Sequence, residues 1–322
     1  MPGATVWPVS TMTPELSAAG DSADVPPPRR IDRRWERRIL WANLIGQVTI
    51  VVTGGIVRLT ASGLGCSTWP QCEPGQFAPV LHEATSWHPV IEFGNRTVTV
   101  LLGMLALATA WAIWPQRHRA TSFRWLGLVP LLGVAVQAVV GGLIVLLDLH
   151  PGWVAMHFLI SMVLVAASTA LLVRHREGDG PAVPLVTGRV RTLGRALVPL
   201  VTVVLALGVV TTGSGPHSGD EKIAYRFALD PVLVSRVHAG SVWLFALGVV
   251  ALAVLVLRRP APAEVRRTVV LLLAVTALQG AVGYVQYFTG LPGVLVAVHM
   301  LGASLLVVAQ VRMVLSLRER TG

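Results

Sequence analysis

The chain has 322 residues, of which 53% are hydrophobic and only 13% are charged, with a formal net charge of +10. An ordinary soluble domain carries about 25% charged residues, so this composition excludes a soluble enzyme and leaves room for bilayer spans of roughly 20 apolar residues each. A basic balance is elsewhere the footprint of nucleic-acid binding, but here the cations bunch in short loops between apolar runs, which indicates membrane topology and no nucleic-acid partner.

Residues 1–38 are expected to be a disordered cytoplasmic tail, because Pro, Ser, Ala and Asp recur without periodicity and Pro26, Pro27 and Pro28 stand in a row. No apolar core precedes the arginines, so the tail does not read as a signal peptide. Apolar runs then follow at about 39–57, 90–114, 125–147, 153–173, 195–213, 231–257, 268–288 and 293–315. Each is long enough to cross a bilayer as a helix, which satisfies its own backbone where no water is available. The expected fold is all-α and integral to the membrane, with eight transmembrane helices in two four-helix bundles. The N-terminal half covers 39–176, a cytoplasmic linker 177–194, and the C-terminal half 195–322.

Orientation follows from the cations. Of the 26 Lys and Arg residues, only Arg58, Arg96, Lys222, Arg226 and Arg236 fall outside the tail, the even-numbered loops and the C-terminus. The positive-inside bias places both termini in the cytoplasm of a multi-pass cell-membrane protein, with the odd-numbered loops outside. Trp41, Trp111, Trp114, Trp125 and Trp153 fall near span ends, as interfacial tryptophans do.

The two halves are similar to each other. At an offset of 142, LLGVAVQAVVGGLIVLLDLHPGWVAMHF (131–158) overlies 273–300 within the segment 271–300, pairing Gln137 with Gln279, Gly141 with Gly283 and His157 with His299. IVVTGG (50–55) resembles VVTTG (209–213), and HPVIEF (88–93) resembles DPVLVS (230–235). Both halves begin on the same side, so a duplication would give parallel repeats about an axis along the membrane normal.

Nine histidines are present. His82, His88, His118, His150, His175 and His217 lie in loops, flanks or at span ends, whereas His157, His238 and His299 lie within spans. An ionisable group inside the membrane marks a functional site by default, although one such histidine could simply be bonded to a serine or a carbonyl. All three occupy even-numbered spans at one to two turns' depth, hence at one level of the outer leaflet. Histidines at matched depth in an apolar bundle suit axial haem ligation. His238 and His299 could clamp one iron from both sides, which suits electron transfer. The N-terminal half offers His157 with Asn95 as its second-span partner, and an amide is a poor haem ligand. Met156 and Met300, beside two of the histidines, read as packing. A closed zinc site fits poorly without Cys or carboxylate partners.

Glu92 shares a helical face with His88 and Asn95. It could merely neutralise Arg96 at i, i+4, or it could handle protons beside an oxidisable substrate. Cys66 and Cys72 have five residues between them on the oxidising side, so a short-loop disulfide is chemically natural, either a structural staple or a redox-active pair. Two cysteines are too few for a disulfide scaffold.

Three stretches resemble the haem A synthase family: GGIVRLTASGLGCSTWPQC (54–72), IEFGNR (91–96) at the start of the second span, and the span histidines in DLHPGWVAMH, RVHAG and VAVHM. The resemblance implies oxidation of the C8 methyl of haem O to a formyl group, through two hydroxylations and loss of water from a gem-diol, to give haem A for cytochrome oxidase. It implies a haem b cofactor on His238 and His299. It further implies that His157 and the second-span position, with Arg96 and His88 nearby, hold the substrate haem, that Glu92 is the catalytic acid, and that Cys66 and Cys72 form the family's loop disulfide. Implied partners are protohaem farnesyltransferase (haem O synthase), cytochrome oxidase assembly factors and membrane lipid, with self-association left open. The departure from the family pattern is Asn95, where many members place a histidine; water, Asn95 itself or His88 could complete the substrate iron. A non-catalytic dihaem b electron-transfer subunit is the main alternative, but it would want two symmetric bis-histidine sites and has no need of Glu92. A transporter would want ionisable groups near the midplane.

Overall fold

The computed structural model describes residues 3, 32–80, 86–222 and 225–321. Among them are eight helices: α1 (Arg33–Leu59), α2 (His88–Ile113), α3 (Thr121–Leu146), α4 (Pro151–Arg174), α5 (Gly188–Ser214), α6 (Pro231–Leu257), α7 (Ala263–Phe288) and α8 (Gly293–Ser316). All eight are long and apolar enough to cross a membrane, so the chain is a multi-pass membrane protein. Two short strands, β1 (Ala182–Pro184) and β2 (Arg318–Arg320), pair antiparallel and tie the α4–α5 connection to the segment after α8.

Two boundaries differ from the sequence expectation. α1 begins at Arg33, so residues 33–38 are helical and belong to no disordered tail. Its start is capped by Asp32, whose side chain accepts the Arg34 N–H at 2.9 Å. Glu36, expected in the tail, is buried and hydrogen-bonds His175 Nε2 at 2.9 Å and Gln116 Nε2 at 3.0 Å. β1 and the first turns of α5 likewise lie inside the expected linker 177–194. Hydropathy hides such helix ends because arginine stems lie along apolar surface while their heads reach water. Residues 1–31 except Gly3, and His82, lie outside the described residues.

The starts of α2, α4 and α6 share one device. Pro89, Pro151 and Pro231 occupy the first turn, where the missing N–H would have no helical partner anyway. The His150 ring caps α4 by accepting the Gly152 N–H at 3.2 Å, and Asp230 caps α6 by accepting the Val232 N–H at 2.8 Å. These starts set the level of each helix, so His157, His238 and, on α8, His299 all stand roughly two turns in.

α1 packs on α2, α4 and α8; α3 packs on α2 and α4; α5 packs on α4, α6 and α8; and α7 packs on α6 and α8. The apolar core sits away from the α1–α2 loop. Leu40, Leu44, Ile113, Phe123 and Leu171 fill the far end of the first four helices, and Val249, Leu252, Val265, Val269 and Leu272 do the same among the last four. Val100, Leu101, Met104 and Leu107 point outward, as lipid-facing residues do. At that far end, Asp179 Oδ2 accepts hydrogen bonds from Arg119 Nε (2.6 Å) and the Ala120 N–H (2.9 Å), and Oδ1 from Arg174 Nη2 (3.2 Å). Burial opposes ionisation of Asp179, but these bonds and the Arg119 charge outweigh it and hold its pKa down at about 2.

Candidate functional site

With the core packed at one end, the space left between the helices lies toward the α1–α2 loop. The larger cavity is about 410 Å³ and is lined by Glu92, Asn95, Arg96, Gln137 and His157 among others, a volume within the ~300–1,000 Å³ of ligand pockets. α2 supplies three of these residues and α4 supplies the histidine.

Glu92 is 5% exposed, and both of its oxygens are engaged. Oε2 accepts the Cys66 N–H at 2.7 Å, and Oε1 accepts from Arg96 Nη2 at 2.6 Å. Arg96 also donates to the carbonyls of Thr68 (2.9 Å), Gln71 (3.1 Å) and Pro70 (3.4 Å). One glutamate and one arginine, a turn apart on α2, therefore hold residues 66–71 of the α1–α2 loop over the cavity. The loop is closed by the Cys66–Cys72 disulfide, and both cysteines are fully buried. Two glycines allow the close approach. A Cβ at Gly142 would lie 2.7 Å from the Trp69 ring, which rests on α3, and a Cβ at Gly65 would collide with the backbone of His88.

Asn95 lines the cavity, and its Oδ1 accepts a 2.8 Å hydrogen bond from Thr53 Oγ1 on α1. His88 stands apart: its Nδ1 pairs with Ser62 Oγ at 2.9 Å, and it is not among the lining residues. The structure thus gathers Glu92, Asn95, Arg96 and His157, and leaves His88 to the loop.

His238 and His299 line a second cavity of about 170 Å³. The Nδ1 atoms of His157, His238 and His299 are all buried without a hydrogen-bond partner; the Val204 carbonyl faces the His238 ring but falls short of hydrogen-bond geometry. Each ring lies with Cε1 against a glycine of the preceding helix, at 3.6 Å (Gly141), 3.2 Å (Gly208) and 3.4 Å (Gly283) from where a Cβ would stand. Gln137 Nε2 donates to the His157 carbonyl at 2.9 Å, and Gln279 Nε2 to the His299 carbonyl at 3.1 Å. Pairing of the two glutamines was visible in the sequence repeat; their attachment to the histidine backbones was not. Arg58, Val154, Phe158 and Met300 line both cavities and form the wall between them. The sequence marked Arg58 as one of five cations on the outer side and as part of the 54–72 stretch, but not its place between two cavities.

A family model described as cytochrome oxidase assembly protein, COX15-CtaA, matches residues 37–217, more than half of the chain. The chain belongs to the COX15-CtaA family. The matched residues of this COX15-CtaA chain take in the disulfide loop, Glu92, Asn95, Arg96 and His157, while His238 and His299 lie beyond them. It is similar to a protein named heme A synthase from Exiguobacterium sp., with 32% identity over 139 residues, 42% of this chain and 44% of that protein. Proteins of the same name from Halalkalibacterium halodurans (28% over 141 residues, 44% and 46%) and Lysinibacillus sphaericus (33% over 128 residues, 39% and 40%) are also similar. The chain spans less than half the length of these curated relatives in each match.

Proposed function

We propose that this protein is a haem A synthase: an oxidoreductase that converts the C8 methyl of haem O to a formyl group by two successive hydroxylations, a four-electron oxidation that draws on an external oxidant, the resulting gem-diol losing water. The observation that carries this proposal is the convergence of Glu92, Asn95, Arg96 and His157 on one 410 Å³ cavity beneath the disulfide loop. Family membership and relatives named heme A synthase support it.

The histidines fit iron ligation. A buried imidazole nitrogen without a partner is costly, and three rings in that condition, each seated against a glycine, are available to a metal. In the proposal His157 holds the substrate haem O, with no side chain reserved for the opposite face, because the Asn95 oxygen is already taken by Thr53 and His88 by Ser62. His238 and His299 would hold haem b, which when bound would supply one-electron transfer. The 170 Å³ free there is small for a tetrapyrrole, so the assignment of haem b rests on the two buried imidazoles that line it.

Glu92 is the proton-handling residue of the proposal. Taking up a proton at Oε1 breaks the ion pair, but Arg96 keeps three loop carbonyls as acceptors, so its charge stays solvated by the protein. Oε2 stays anchored by the Cys66 N–H. Haem O would come from protohaem farnesyltransferase, and the product would pass to cytochrome oxidase assembly. The test is co-expression with a haem O supply and chromatography of the extracted haems. Haem A in the membranes is the expected result; haem b alone would leave an electron-transfer subunit.

A further inference from the structure

Arg58 sits in the last turn of α1 and lines both cavities. Its Nη2 donates to the Thr212 carbonyl at the end of α5, at 3.2 Å, so the guanidinium lies where the first and second halves of the chain meet. Its Nε is buried and has no partner. Among the described residues no carboxylate comes within ion-pair distance of it; the ion pairs are made by other cations. The exposed Arg226 adds its repulsion to the Arg58 charge and itself donates to the Pro216 carbonyl at 2.8 Å.

The simplest role for such an arginine is to complement the C-terminal ends of α1 and α5. That role explains one hydrogen bond to one neutral carbonyl. It does not explain a buried nitrogen without an acceptor. Burying an unpaired charge is strongly unfavourable, and a guanidinium that lines both cavities without a carboxylate partner among the described residues calls for an anion.

We propose that Arg58 is an anion-binding residue shared by both cavities, positioned to hold a carboxylate of the group seated in each. The inference rests on the proposed function, under which each occupant is a porphyrin carrying two propionate carboxylates. Arg58 supplies the charge-assisted bonds and Arg226 reinforces its field. A cation beside a haem edge disfavours the ferric state, so removing it lowers the midpoint potential.

The test uses the purified, detergent-solubilised full chain reconstituted with haem b, titrated spectroelectrochemically as wild type, Arg58→Gln, Arg58→Lys and Arg226→Gln. Arg58→Gln is expected to shift the reduction equilibrium about tenfold toward the oxidised form, about 59 mV for one electron. Arg226→Gln is expected to give a smaller fall, and Arg58→Lys to stay near wild type. A folded Arg58→Gln protein with the wild-type midpoint overturns the proposal. Should Arg58→Gln fail to accumulate, the same titration of Arg58→Met, which keeps an unbranched stem without the charge, decides it by the same criterion. A lowered midpoint in cells that make no haem A would sink the enzyme proposal and leave this one standing. Haem A production with an unshifted midpoint would do the reverse, and a wild-type chain that takes up no haem would sink both.

Discussion

Glu92 Oε2 accepts the backbone N–H of Cys66 at 2.7 Å, so the acidic side chain of the larger cavity is joined directly to the disulfide loop. The two sequence motifs, the cysteine pair and the IEFGNR segment, are thereby one structural unit. The ion pair with Arg96 also exists, at 2.6 Å. Glu92 therefore has a structural role whatever its chemistry, and a test of its chemistry has to separate the two.

Glu92→Gln makes that separation. The amide oxygen can still accept the Cys66 N–H, but the NH2 then faces Arg96, and hydrogen bonds to charged groups are worth about 1.5–3 kcal/mol. The variant is expected to melt lower by an amount of that order, to keep its haem b, and to accumulate haem O or the half-oxidised alcohol. Chromatography of extracted haems decides the matter. Haem A at the wild-type rate would confine Glu92 to the ion pair.

Replacing either His238 or His299 by Ala is expected to abolish the low-spin haem b signal in the reduced-minus-oxidised spectrum, because one axial ligand is lost. The same change at His157 should spare that signal and remove binding of added haem O. A bis-histidine spectrum surviving in both His238→Ala and His299→Ala would move the cofactor elsewhere.

The disulfide should be resistant to alkylation until reduced. Mass spectrometry of protein kept from reductant should show no label on Cys66 or Cys72, and two labels after reduction and denaturation. Reduction alone should leave the loop in place, because Arg96 and Glu92 still hold it through four further hydrogen bonds to Thr68, Gln71, Pro70 and Cys66. Loss of haem O binding on reduction would instead make the disulfide part of the site.

Gly142→Leu should push Trp69 off α3, since even a Cβ there would lie 2.7 Å from the ring. Overpacking of this kind costs about 1–3 kcal/mol. Thermal unfolding should fall accordingly, and Trp69, which lines the larger cavity, should weaken haem O binding as it moves.

Asp179 predicts a pH dependence. Its pKa is depressed from an ordinary 3.8 to about 2, so its stabilisation is fully present above about pH 4 and is lost as pH falls toward 2. Asp179→Asn should therefore melt below wild type at pH 7, with the gap closing in acid. Melting curves of the solubilised protein across that range check the sign; a gap that widens in acid would contradict it.

Much was written locally. Runs of apolar residues and the need to satisfy backbone groups in lipid determine eight helices, and Pro89, Pro151 and Pro231, the last two preceded by the capping His150 and Asp230, determine where three of them begin. Cys66 and Cys72 are near enough in sequence to bond whatever surrounds them. The depth of His157, His238 and His299 follows from counting along each helix. What the tertiary structure decided is everything that depends on which helix faces which. Glu36 was hidden in an apparent tail because its partners, Gln116 and His175, are 80 and 139 residues away. His88 shares a face with Glu92 on α2, yet Ser62, after the end of α1, takes its ring away from the cavity. Arg58 read as one of five outer cations, and its place between two cavities appeared only when α5 met the end of α1. Hydropathy and spacing record how a residue partitions and where it lies along its own helix; burial without a counter-charge arises only when other helices arrive, and no local pattern encodes it.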